Sequence, residues 1–67
     1  MEISARNQLK GKVTKITLGN VMAEVHVLVG TSEIVSAITR SSVERLGIKV
    51  GDDVVAIVKA TEVMIGK

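Results

Sequence analysis

The sequence predicts an all-β fold carrying one short helix, with its elements in the order βββ-α-ββ. Val, Ile and Thr dominate the chain, Pro is absent, and glycines at Gly11, Gly19, Gly30, Gly47 and Gly51 separate apolar stretches. That punctuation is typical of short strands joined by tight turns. Most of the chain alternates apolar and polar residues with period two. A single segment, Ser41 to Gly47, breaks the alternation and carries helix start and stop signals instead.

The first strand runs from Leu9. Leu9, Gly11 and Val13 share one face, after which the apolar parity changes to Ile16 and Leu18. A parity change inside one strand implies a bend or bulge, and Gly11 is the expected place for it. Gly19-Asn20 is expected to turn the chain into the second strand, where Val21, Ala23, Val25, Val27 and Val29 form one apolar row. The opposite row, Met22, Glu24, His26 and Leu28, is mixed and suits solvent or another subunit. Gly30-Thr31-Ser32 leads into a third strand over residues 33–39. Ser41-Ser42-Val43-Glu44 reads as a capping box and Gly47 as a left-handed C-cap, so a helix of one or two turns lies between them. Val50-Gly51-Asp52-Asp53 turns again, and residues 54–59 and 62–65 give two last strands. This is the element order of a five-stranded Greek-key barrel of the OB type.

Size and composition limit what such a fold can do. The chain has 67 residues, no Cys, one His and seven carboxylates, too short for a second domain and unable to form a disulfide or assemble a structural zinc site. Apolar residues make up 46%, more than so small a monomer hides readily, so a homo-oligomer is expected. Aromatic residues are absent and the formal charge is +2. Nucleic acid therefore meets neither a stacking platform nor a polybasic face. No apolar run is long enough for a membrane span or a secretory leader, so a cytoplasmic protein without membrane contact is expected.

Catalytic constellations are equally scarce. His26 has only Glu24 nearby on its own face, no carboxylate pair has acid–base spacing, and no glycine-rich loop precedes the helix. What remains is a set of cations and hydroxyls suited to a small anion. Ser4, Arg6 and Asn7 precede the first strand, Thr39, Ser41 and Ser42 surround the helix start, and Lys59-Ala60-Thr61 joins the last two strands. On the residues alone, two other classes stay open: an OB-type nucleic-acid-binding module and a structural assembly module without ligand.

Three stretches carry a family resemblance. Ser4-Ala5-Arg6-Asn7-Gln8-Leu9-Lys10-Gly11, Ile38-Thr39-Arg40-Ser41-Ser42 through Leu46-Gly47, and Val58-Lys59-Ala60-Thr61-Glu62-Val63-Met64-Ile65 resemble the molbindins. These are the small molybdenum-pterin-binding (Mop) proteins, and the likeness covers essentially the whole chain in order. It implies one Mop domain over residues 1–67, OB-like and of TOBE type, that binds molybdate or tungstate without catalysis and serves molybdenum storage and homeostasis. It also implies a hexamer arranged as a trimer of dimers, with sites between subunits. Ser4 and Arg6 would contact the oxyanion from one subunit, Lys59 and the Ala60 amide would complete the site, and Thr39 and Ser42 match the family's hydroxyl positions. Asn7, Gln8 and His26 are minor candidates. The resemblance fixes neither the residues of a second site near the three-fold axis nor whether a pterin is bound.

Overall fold

The structure, a computed structural model, describes residues 1–67. Four strands, one α-helix and one 3-10 turn follow in the order β1 (Asn7–Leu18), β2 (Met22–Val29), β3 (Ser32–Thr39), α1 (Arg40–Leu46), β4 (Asp53–Val58) and the turn Ala60–Glu62. The strands form one antiparallel sheet in the order β3-β2-β1-β4. The all-β character with one helix is as the sequence predicts. The fifth strand and the closed barrel are not.

The expected strand over residues 62–65 is replaced by the 3-10 turn and an irregular tail, with Met64 and Ile65 each 91% exposed. A strand needs a free edge to pair with. The 3-10 turn after β4 interrupts the extended chain, and the tail beyond it pairs with no strand of its own chain. The edges of β3 and β4 are left open. A cleft of about 310 Å³ lies between them, lined almost wholly by aliphatic side chains such as Val25, Ile34, Ile38, Val54 and Ala56.

The parity change in β1 is a bulge at Thr14. Val13 faces Val27, whereas Lys15 faces His26, leaving Thr14 as the extra residue. Its hydroxyl donates to the His26 carbonyl at 3.4 Å. Gly11 has a different task from the bend expected of it. A Cβ there would stand 2.6 Å from both the Leu28 carbonyl oxygen and Val27 Cγ1, so glycine permits the two strands to approach. With the bulge in place, Val13 and Ile16 fall on the same inward side as Val25 and Val27. Val21, expected in the inward row, lies ahead of β2 and is 72% exposed.

Helix α1 starts one position before the predicted box. Thr39, rather than Ser41, is the N-cap, accepting from the Ser42 amide at 3.1 Å, while the Glu44 carboxylate pairs with Arg40 at 3.6 Å. Gly47 is the expected left-handed cap, at φ 64°, with its amide donating to the Glu44 carbonyl and the Ile48 amide to the Val43 carbonyl. The helix lays Val43 over the sheet and completes the core of Val13, Ala23, Val25, Val27 and Val43.

Gly11→Ala should destabilise the protein by about 2 kcal/mol, because the clash involves backbone and cannot be relieved by a rotamer change. Thermal unfolding checks this, with Gly66→Ala as the neutral comparison, since a Cβ at Gly66 meets nothing within 4 Å.

Candidate functional site

β1 and β4 pair from Lys12–Asp53 through to Asn7–Val58. The segment entering β1 and the segment leaving β4 therefore emerge side by side at one end of the sheet. Ser4 and Arg6 belong to the first, Lys59 and Ala60 to the second, and all four line one pocket of about 490 Å³ together with Ile3 and Thr61. The sequence brings these residues together only through the register of a ladder that sets Asn7 opposite Val58.

The pocket's polar chemistry is one-sided. Arg6 and Lys59 are its charged residues, neither takes part in an ion pair, and no carboxylate lines it. The hydroxyls of Ser4 and Thr61 make no hydrogen bond within the chain. The 3-10 turn uses the amides of Glu62 and Val63, which donate to Lys59 and Ala60 carbonyls, and leaves the Ala60 amide without a backbone acceptor. Two cations, two hydroxyls and a free amide make a donor-only lining, suited to an anion whose oxygens all accept.

Thr39 and Ser42 do not join this pocket within one subunit. Thr39 faces Met22 in the β2–β3 ladder, near the Leu18 end of β1, whereas Arg6 precedes the Asn7 end. Twelve residues of extended chain separate the two ends by on the order of 35 Å of contour. The hydroxyls there bond to one another: Thr39 Oγ1 lies 2.7 Å from Ser42 Oγ and 3.2 Å from Ser41 Oγ. Thr61 is the pocket residue that the residue-by-residue resemblance passes over. Its place directly after Lys59-Ala60, with a donor side chain, is the signal that marks it in sequence. Asn7 starts β1, and Gln8 donates to the Ala5 carbonyl at 2.8 Å, steadying the entry to the pocket.

His26 sits apart, on the outer face of β2. Its ring nitrogens bond two different carboxylates, Nε2 to Glu24 at 2.8 Å and Nδ1 to Glu33 across on β3. Those hydrogen bonds, Glu33 first and Glu24 second, raise its pKa above the ordinary histidine value. With a carboxylate on each side of the ring, the three groups do not converge on one metal position, and no cluster of His, Asp and Glu in the chain could hold a metal ion. The cluster is a cross-strand clamp between β2 and β3, with Lys15 of β1 as its cationic neighbour in register.

Residues 3–65 match the family model described as TOBE domain. Molybdenum-pterin-binding protein 2 of Clostridium pasteurianum is 53% identical over 66 residues, covering 97% of each chain. Among solved structures, a molybdate-binding protein from Sporomusa ovata superposes with a TM-score of 0.95 at 45% identity over the full length of both chains. The cytoplasmic molybdate-binding protein ModG, in a form with molybdate bound, gives a TM-score of 0.85 at 43% identity over 90% of this chain and 43% of its own. No helix here is long and apolar enough to cross a membrane.

The clamp makes a pH-dependent prediction. A raised pKa in the folded state means the contribution is complete below the ordinary histidine pKa and is lost as pH rises through the folded value, because a neutral ring donates to only one carboxylate. Between about pH 6 and about pH 9, the melting temperature of the wild-type protein should fall relative to that of His26→Gln. Parallel profiles would remove the clamp from the stability of the fold.

Proposed function

Because this chain belongs to the TOBE domain family, alongside the small molybdenum-pterin-binding proteins, we propose that it binds molybdate or tungstate as a cytoplasmic molybdenum store, without catalytic turnover. The observation that carries this reading is the donor-only pocket of Ser4, Arg6, Lys59 and Ala60. Molybdate is a tetrahedral dianion at neutral pH. Arg6 and Lys59 balance its charge, and the Ser4 hydroxyl and Ala60 amide meet oxygens the cations leave free. The missing carboxylate is as important as the donors, since one would repel a dianion and offer it no proton.

The same reading takes the assembly as a hexamer, a trimer of dimers, with the oxyanion held between subunits. Fifteen large apolar side chains are at least 37% exposed, while only five of 67 residues are buried. Such a surface is that of a subunit rather than a free monomer. The aliphatic cleft between β3 and β4 and the uncovered Val63–Ile65 tail are complementary in kind, an open edge and an unpaired extended segment. A neighbouring subunit also resolves the placement of Thr39 and Ser42. Too far along β1 to reach their own pocket, they would complete the pocket of another copy, and the whole chain would act as one Mop domain over residues 1–67.

Native mass spectrometry at micromolar concentration is expected to show the hexamer, and a monomer there would remove the shared site together with the assembly. Isothermal titration with molybdate is expected to show that Arg6→Ala and Lys59→Ala each cost about 1.5–3 kcal/mol of binding, at least tenfold in affinity. Thr39→Ala and Ser42→Ala are expected to cost about 1 kcal/mol each. Lys15→Ala, remote from the pocket beside His26, is expected to bind as the wild type does. Equal and small losses from Arg6, Lys59 and Lys15 would assign binding to diffuse charge and overturn these residue roles.

A further inference from the structure

We propose that Thr61 is a further oxyanion-binding residue, its hydroxyl donating to the bound anion from the wall of the pocket that Lys59 and Ala60 build. The inference rests on the molybdate reading and adds a ligand to it. Thr61 lines the pocket with Ser4, Arg6 and Lys59. Its side chain has no hydrogen-bond partner in the chain, whereas the hydroxyls of Thr39, Ser41 and Ser42 are bonded among themselves. The pocket therefore contains one free hydroxyl on each wall, Ser4 on the segment entering β1 and Thr61 on the segment leaving β4.

Backbone geometry fixes the position of the residue that carries this second hydroxyl. The amide of Glu62 donates to the Lys59 carbonyl at 2.9 Å, and that of Val63 to the Ala60 carbonyl at 3.4 Å. Thr61 lies inside this 3-10 turn, so its position relative to Lys59 is set by main-chain bonds and not by the loose tail beyond. Glu62, the adjacent carboxylate, is outside the lining, and the turn presents a donor to the pocket while keeping the acid away. A tetrahedral dianion has oxygens pointing in four directions. The Ser4 hydroxyl and the Ala60 amide meet some of those that Arg6 and Lys59 leave unsaturated, and Thr61 is the hydroxyl of the same subunit available on the wall opposite Ser4.

The test is isothermal titration of the assembled protein with sodium molybdate at fixed ionic strength, comparing wild type, Thr61→Val, Thr61→Ser and Arg6→Ala. Valine keeps the shape of threonine and removes the donor, so its Kd should rise about fivefold, and serine, which keeps the donor, should stay within about twofold of wild type. Native mass and melting temperature confirm that each variant assembles. Wild-type affinity in Thr61→Val overturns the inference, as does equal weakening in Thr61→Val and Thr61→Ser, which would make the residue a packing element of the turn. In both cases a large loss in Arg6→Ala leaves the molybdate reading standing. No binding of molybdate by the wild type overturns both.

Discussion

β1 is the strand that divides its length between two partners, and the rest of the structure depends on how it does so. Its first half bonds to β4 and its second half to β2, with Lys12 in register with a residue of each. A regular strand would present the same parity of side chains throughout. The extra residue at Thr14 reverses that parity, so Gly11 and Val13 before the bulge and Ile16 after it all fall on the core side. The main chain is secured at the same place. The Val13 amide donates to the Asp52 carbonyl and the Gly51 amide to the Val13 carbonyl, tying the turn ahead of β4 to the bulge.

The position of the pocket follows from this sharing. Because β4 runs antiparallel to the first half of β1, its end lies beside the start of β1, and the cations on either side are delivered to one place. Neither Arg6 nor Lys59 has an ionic partner there, although Lys12 and Arg40 elsewhere on the surface do. Leaving two cations close together without a carboxylate costs repulsion that a bound dianion removes, so the arrangement favours binding over resting stability. The His26 clamp is built to the opposite rule, with both ring nitrogens satisfied by carboxylates of its own sheet, which suits holding the β2–β3 pair together and offers no open position to a ligand.

The small core sets a second condition. Five buried residues, all Val or Ala, give little apolar burial for a chain of this length. A sheet with two open edges, an aliphatic cleft between them and an uncovered apolar tail has both pairing and burial left unmet. On the proposed reading assembly and ligand binding would depend on each other, since hydroxyls unable to reach the pocket of their own subunit would become useful only when another subunit is present.

Local pattern was enough to determine the alternating rows of β2, the parity change in β1 and the helix with its Gly47 cap, because each is written in neighbouring residues; Ser4, Arg6, Lys59 and Ala60 were singled out through the family resemblance, and the β1–β4 register is what brings them to one pocket. The family likeness was legible for the same reason, in contiguous runs such as Ser4 to Gly11. Three matters were decided only by the tertiary structure. The bulge fell at Thr14 and not at Gly11, because the close approach of Leu28 reserved the glycine for another purpose. The helix is capped by Thr39, since the end of the β3 ladder placed that hydroxyl before the Ser42 amide. Residues 62–65 have the composition of a strand but formed none, because pairing is a property of two edges and composition describes only one; the 3-10 turn Ala60–Glu62 interrupts the extended chain, and the tail beyond it pairs with no strand of its own subunit.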